Sequence, residues 1–582
     1  MHIRRSAFLL TIFLLLFSAA AWSADQKPFR NDGIIQQVVQ RMAEASVNGN
    51  VVQNAFVGTD ACLACHPGYQ DFKRTAHHTG LKMVRDDRFS LKVMDGIIAD
   101  YDRNGVDDFK QGLDFNKINS AFDRFKPNAP ILAYKVGSGY SVTIAGVEYP
   151  VVFTHGGTGL AKQRYAVRFP VTDRPSGWSA DYYYLPIQYN DKSGTWVTYS
   201  TGNWYNADNT PKIRGPVTSR VAGSTGISFY GGCSGCHGSA VKTTRDALGE
   251  WISTAQSPVY TPPGEPHYLD LDGNGWPESF NVGCERCHGP GARHIVNLRD
   301  PKEVIQPARD FTPRQINALC GSCHTRGTSS AGSFGYPYDE ARGEDYSTHL
   351  GKDVDSTFWR PNPTRWPDRK TPNAHRQQFN EMSTSGKGPG DSPKAICSQC
   401  HDPHRTSGRG QLRQAMMVTG SGGASLQLNV KVEDNTLCLA CHAGKGSFAA
   451  LRPEELTDPQ RNASVIANVV TQHTRHPYRP EGFMGLSRCT ECHMAKTTTN
   501  GDPYDVSSHT FEAISPQKTL DFQAQGGMPN SCAARCHRPL APFFGLPADS
   551  SLTNWAETSD KLLAEWLARY HGPNGIWWKT NP

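Results

Sequence analysis

Fourteen of the sixteen cysteines fall into seven Cys-x-x-Cys-His repeats. They are Cys62, Cys65 and His66; Cys233, Cys236 and His237; Cys284, Cys287 and His288; Cys320, Cys323 and His324; Cys397, Cys400 and His401; Cys438, Cys441 and His442; and Cys489, Cys492 and His493. Two thiols one short turn apart can add to the two vinyl groups of a porphyrin. The imidazole that follows can then bind the iron from the proximal side. A zinc array would not require His directly after every pair. Seven covalently attached haems c are therefore expected. The last two cysteines, Cys532 and Cys536, stand one residue too far apart for the repeat, yet His537 follows directly. A disulfide would leave His537 unexplained. If the extra residue bulges outward, both sulfurs still reach one porphyrin, so an eighth haem is expected here.

Each iron has a second face. The chain has 21 histidines; eight follow the cysteines and His2 lies in the leading segment. Twelve remain for eight distal positions. His77 or His78 is expected to fill one and His473 or His476 another. His267, His294, His349, His375, His404 and His509 fill the rest, leaving His155 and His571 as spares.

Two acidic stretches carry different chemistry. Asp100, Asp102, Asn104 and Asp108 repeat the spacing of Asp270, Asp272, Asn274 and Glu278. Oxygens at positions 1, 3, 5 and 9 with Gly at 6 match the first part of an EF-hand calcium loop. Gln111 and Asn281 stand where the bidentate Glu of position 12 belongs. Two structural calcium ions are one expectation; Asp/Asn/Gly-rich turns are the other.

The elements that must position these groups are unevenly spread. Residues 1–23 join Arg4 and Arg5 to an apolar run and small residues, the pattern of a secretory signal. That run is too short to span a bilayer, and no other stretch approaches ~20 apolar residues. A leader (24–57) precedes the first haem segment (58–95). A haem-free insertion (96–230) holds the first acidic loop, then runs such as "YSVTIAG" and "QRYAVRF" that predict a small antiparallel sheet or sandwich. The dense haem domain (231–545) is rich in Gly, Pro and Asn, so loops and short helices are expected. In the last segment (546–582), Leu562, Leu563, Trp566, Leu567 and Tyr570 share one helical face, expected to pack on the last haems. The fold class is thus a mostly irregular and α-helical protein with stacked c-type haems plus a small antiparallel β insertion.

Composition limits the partners. The formal charge is +6, but two of those charges sit on Arg4 and Arg5, and eight haems bring about sixteen carboxylates. The oxidised holoprotein would be near neutral or acidic, so no nucleic-acid partner is expected. Hydrophobic residues make up only 37% of the chain, and the macrocycles must supply the missing apolar surface.

The stretches "CERCHGPGARH", "CSQCHDPH", "CTECHMAK" and "SSHTF" resemble signatures of the multihaem cytochromes c. That superfamily includes the tetrahaem cytochrome of ammonia oxidisers, hydroxylamine oxidoreductase, octahaem tetrathionate and nitrite reductases, and surface cytochromes of metal-respiring bacteria. The resemblance covers roughly residues 58–80 and 231–545. It implies that His294, His404 and His509, with His77 or His78, each bind the iron of a different haem. One departure stands at "SGKG", where relatives often carry a histidine and this chain has Lys387; His375 or Lys387 is the expected substitute. Electron transfer through eight bis-histidine haems is the expected function, in the periplasm or at the cell surface. It would involve redox partner proteins or extracellular acceptors, as a monomer, homo-oligomer or filament. The alternative is an oxidoreductase of a small nitrogen or sulfur compound at one five-coordinate haem. No motif ends in the Lys that marks the catalytic haem of the octahaem reductases.

Overall fold

The computed structural model describes residues 56–84, 99–157, 162–239, 241–255, 281–296, 305–329, 359–385, 394–406, 410–482, 485–500, 504–546 and 554–571, with a few isolated positions between them. The expected signal segment, His267, His349, Lys387 and most of the second acidic loop lie outside the described residues.

The runs of Val, Ile, Tyr and Thr form the strands that their shapes favour. One antiparallel sheet contains β1 (Leu81–Met83), β2 (Ile131–Lys135), β3 (Gly139–Ile144), β4 (Val147–Gly156), β5 (Gln163–Val167), β6 (Tyr183–Asn190), β7 (Thr195–Thr198) and β8 (Ile227–Ser228). Strands β2 to β7 lie in sequence order, while β1 pairs with β4 and β8 with β6. The turn from β3 to β4 places Ala145 and Gly146 at φ 52° and 79°. This is the backbone of a tight two-residue hairpin.

The sheet is covered on both faces. Tyr149, Tyr165, Tyr183, Leu185 and Ile187 pack with Phe109, Phe115, Trp196 and Trp204 on one face. Phe153, Ala166, Tyr182 and Tyr184 pack with Phe229 and Tyr230 on the other, and Cys233 lies against that cluster. In a regular strand Val151 and Phe153 would share a face. A register shift between them sends Phe153, and His155 after it, to the second face. The insertion is therefore a wall built against the second Cys-His motif.

The remainder is short helices and two-stranded hairpins. Helices include Thr59–Cys65, Ser234–His237, Glu285–His288, Cys397–Cys400, Thr436–His442 and Cys489–His493, all at motifs. Helix Ala463–Thr474 packs Ile466 and Val470 on Leu428, Leu439 and Leu451 in a separate small core. The expected C-terminal helix forms as Thr558–His571. Its core face differs from the one expected: Leu563 and Leu567 are buried with Ser559, Asp560 and Ala564, while Leu562 is 40% exposed. Trp566 packs against Leu563 and Leu567, and the buried Asp560 pairs with Arg538. Among the described residues no helix is long and apolar enough to cross a membrane.

Candidate functional site

A short backbone ring closes most motifs. His66, His237, His288, His324 and His401 each donate a backbone N–H to the carbonyl of the first cysteine, four residues back, at 2.9 to 3.1 Å. In the eighth motif His537 makes the same bond to Cys532 at 3.1 Å, now five residues back. The extra residue widens the turn into a single π turn, Ala533–His537. The cysteine-to-histidine bond is kept and the ring is one residue larger.

The imidazoles are paired. His66 faces His294 with ring centres 6.3 Å apart, and His77 faces His324 at 6.3 Å. His288 faces His404 at 6.1 Å, and His401 faces His509 at 6.2 Å. His473 faces His493 at 6.0 Å, and His476 faces His537 at 6.3 Å. A metal about 2.0 Å from each of two ring nitrogens, each about 1.1 Å from its own ring centre, puts the centres roughly 6.2 Å apart. Six pairs thus have the separation that an axially bound iron requires. Each joins a motif histidine to one from elsewhere in the chain.

His294, His404 and His509 meet rings of other motifs, as the resemblance implies, and His77 rather than His78 takes the fourth such place. His78 is buried against Phe72. His473 and His476, expected to share one position, face two different rings. His155, set aside as a spare, lies 4.2 Å from His237, inclined at 66°. His442 has Phe448 edge-on at 6.4 Å. His375 lies near Lys162, Arg164 and Arg376; burial first, and then these cations, lower its pKa to about 3.

Thiols of different motifs also meet. Cys62 hydrogen-bonds Cys284, Cys236 hydrogen-bonds Cys323, Cys320 hydrogen-bonds Cys397, and Cys438 hydrogen-bonds Cys489. Burial, with Cys323 nearby, pushes Cys287 up to about 11. Burial does the same for Cys400, with Cys438 nearby, and for Cys492, with Cys536 nearby. These contacts link motifs 1, 3, 4, 5, 6, 7 and 8 in one line. Motif 2 joins that line at motif 4.

Several residues that hold the motifs escaped sequence reasoning. Asn317 accepts a hydrogen bond from the Cys397 N–H at 2.9 Å, and Asn435 accepts one from the Cys489 N–H at 2.9 Å. Each stands three residues before the first cysteine of its own motif and holds the next one. Asn281, at the same offset before Cys284, bonds both the N–H and the carbonyl of Leu81. That recurrent Asn-x-x-Cys was the available signal. Glu285, inside the third motif, accepts the N–H groups of Val57, Gly58 and Gly291 at 2.7 to 2.9 Å. Glu381 accepts the His509 N–H at 2.6 Å, and burial raises its pKa to about 7.

The first acidic loop turns at Gly105, φ 83°, whose N–H meets Asp100 at 3.0 Å. Asp108 points inward and accepts from the indole N–H of Trp196 at 2.7 Å. Gln111 donates to the Asn104 side chain at 2.7 Å and to the Val106 carbonyl at 3.2 Å. Its amide nitrogen thus bridges oxygens at positions 5 and 7, where an EF-hand holds the ion. Among the described residues no group of three or more His, Cys, Asp or Glu side chains is gathered as a metal site.

No family model matches the chain. The chain is 26% identical over 165 residues to the multihaem cytochrome MtrA of Shewanella baltica (strain OS185), a match over 28% of this chain and 42% of that protein. It therefore spans less than half the length of that relative. Among solved structures, the outer cell wall cytochrome OcwA gives a TM-score of 0.47 at 17% identity, over 89% of this chain and 97% of that one. The undecahaem S-layer cytochrome of Carboxydothermus ferrireducens gives 0.32 at 18% identity, over 84% and 59%. The likeness to MtrA supports a multihaem c-type cytochrome, the chemistry that the thiol pairs and facing imidazoles are built for.

Proposed function

We propose that the chain carries eight covalently attached haems c and passes electrons along them, between redox partner proteins or to an extracellular acceptor. The observation that carries this is the set of six imidazole pairs at 6.0 to 6.3 Å, each on a Cys-His motif. When bound, haem supplies reversible one-electron chemistry and the apolar surface that a chain with 37% hydrophobic residues lacks. The protein's own groups do the rest. Two imidazoles at this spacing leave no room for a substrate between them, so these six sites are closed to ligands. The thiol contacts bring the attachment points of neighbouring motifs together, which supports closely spaced haems from motif 1 through motif 8. Burial sets a low-dielectric surrounding at centres such as those of His237, where Cys236 is buried, and His509. The segment 1–23 supports export, in keeping with work in the periplasm or at the cell surface. Assembly into a filament would extend the same line between copies.

Mass spectrometry and electron paramagnetic resonance of the oxidised holoprotein test this. The expected result is a polypeptide with eight haems and at least six low-spin centres. Fewer than eight haems, or high-spin signals from most of them, would overturn the proposal.

A further inference from the structure

Three motifs meet around one cation. Arg286 lies inside motif 3, between Cys284 and Cys287, and is buried. Its Nη2 donates to the carbonyl of Gly235, between the two cysteines of motif 2, at 2.9 Å. The same nitrogen lies 3.5 Å from Sγ of Cys323, the second cysteine of motif 4. Cys236 of motif 2 hydrogen-bonds Cys323 at the same place. Ala318 and Phe379 pack around those two thiols. Motif 2 thus meets motif 4 through its thiol and motif 3 through Arg286. The guanidinium charge bears on Cys236, Cys287 and Cys323, one thiol from each of the three motifs. An arginine side chain keeps that charge throughout the working pH range.

The preceding residue has the opposite sign and a different direction. Glu285 turns its carboxylate to the N–H groups of Val57, Gly58 and Gly291. Its charge bears on Cys62 of motif 1 and Cys284 of motif 3. Successive residues of a helical turn point about 100° apart. One turn, Glu285–His288, therefore presents a carboxylate toward motif 1 and a guanidinium toward motifs 2 and 4. A cation near an iron favours the ferrous form, because the added electron removes one positive charge there; an anion favours the ferric form. When one electron leaves a ferrous iron of motif 3 for a ferric iron of motif 4, no bond or proton changes. The fixed charges around the two irons then decide which side the electron prefers.

We propose that Arg286 sets the direction of electron flow at this junction: it holds the haem of motif 4 at a higher reduction potential than the haem of motif 3, so that electrons from motifs 2 and 3 collect at motif 4. This rests on the haem reading of the chain. Arg286 neither binds an iron nor carries the electron; it acts through its charge at the Cys323 sulfur. Motif 3 gains less from the same cation, because the guanidinium head lies at Gly235 and Cys323 and the Glu285 carboxylate bears on Cys284.

The test is a redox titration of the full holoprotein, followed by electron paramagnetic resonance at pH 8, above the Glu285 pKa of about 7. His77→Ala and His404→Ala each remove one low-spin signal and so assign motifs 4 and 3. In the parent the motif 4 signal should be reduced before the motif 3 signal. Arg286→Gln should shift the one-electron equilibrium of motif 4 toward the ferric form by at least about tenfold, or about 59 mV, and that of motif 3 by less. That is the effect of one charge about 10 Å away at an effective dielectric of about 20. Arg286→Lys should restore most of it. The difference should persist in ~1 M salt, because a buried charge is screened little. The inference is overturned if motif 3 is reduced first in the parent, a result that needs no Arg286 variant to assemble. It is also overturned if Arg286→Lys shifts motif 4 as far as Arg286→Gln, because packing rather than charge is then at work, or if neither shifts it. Intact mass separates the two proposals: eight haems with the wrong order removes only this inference, whereas a lower count removes the electron-transfer function as well.

Discussion

Replacing Glu285 by Gln tests whether one carboxylate fixes both imidazoles of the first site. Glu285 is 4% exposed. Its Oε1 accepts from Val57 at 2.7 Å and from Gly291 at 2.8 Å, and its Oε2 accepts from Gly58 at 2.9 Å. Val57 and Gly58 lead into the helix that ends beside His66, and Gly291 leads into the helix that carries His294. Burial raises the Glu285 pKa from 4.5 to about 7, against the pull of the three N–H donors. A folded pKa above the unfolded one means that this group's contribution is full below pH 4.5 and is lost as pH rises to about 7. The difference is worth about 3 kcal/mol. In Glu285→Gln the amide oxygen keeps the two donors at Oε1, and the NH₂ group then confronts the Gly58 N–H. One buried donor without its acceptor costs about 1–3 kcal/mol. The variant should therefore be less stable than the parent at pH 5. The gap should shrink toward pH 8, where the parent carries its buried charge and the variant does not. Hydrogen exchange of the Val57, Gly58 and Gly291 amides in the holoprotein reads this locally. Faster exchange should be concentrated at Gly58, with a change in the spectrum of the His66–His294 site. Equal protection of all three amides in parent and variant at both pH values would refute the reasoning.

Other outcomes follow from the same contacts. Intact mass should equal the polypeptide plus eight haems; seven haems with a Cys532–Cys536 disulfide would rule out the π turn as an attachment site. His473→Ala and His476→Ala should open two different centres, at His493 and His537, so the double variant gains two high-spin signals; a single new signal in the double variant would show that the two histidines share one iron. Asp560→Asn leaves Arg538 buried with half its partner, a loss of about 3–5 kcal/mol. It should speed hydrogen exchange in helix Thr558–His571, and unchanged exchange there would show the pair to be dispensable. Gln111→Glu should raise calcium affinity by at least about tenfold in titration calorimetry, since it supplies the missing position-12 carboxylate; no gain would mean that the first acidic loop is a turn only.

The proximal chemistry was legible because it is local. Thiol and imidazole sit within one turn, and spacing alone specifies them. The π turn was legible in outline from the same logic, since a residue too many in a helical turn has few places to go. The distal partners were less so. His294, His404 and His509 could be assigned only through resemblance, because nothing near them in sequence says which ring they face. His473 and His476 stand three apart, a spacing that would put them on one helical face, and counting alone could not show that helix Ala463–Thr474 stops between them. Where His155 points was hidden for a geometric reason: one register shift in β4 decides which face it takes. Glu285 and Asn281 were hidden because a buried polar residue that satisfies backbone groups elsewhere leaves little trace in sequence. The repeated Asn-x-x-Cys was the exception.

The pairing pattern also says how the chain must come together. In the first part every facing pair is long-range: His66 waits for His294, His77 for His324, His288 for His404 and His401 for His509. The chain beyond the second motif returns to the start of the sheet. Val282 donates to the His77 carbonyl at 3.2 Å, and Asn281 clasps Leu81 three strands' width from where β8 leaves for the second motif. In the last part the pairs are near neighbours, His473 with His493 and His476 with His537, around a small core of their own. Loop closure costs rise with the length closed, so the last three motifs can settle locally. Motifs 1, 3 and 5 lack their facing imidazoles until the chain as far as His294, His404 and His509, respectively, is present. Asn317 and Asn435 reduce that burden, since each fixes the first cysteine of the next motif by a backbone hydrogen bond that needs no facing ring.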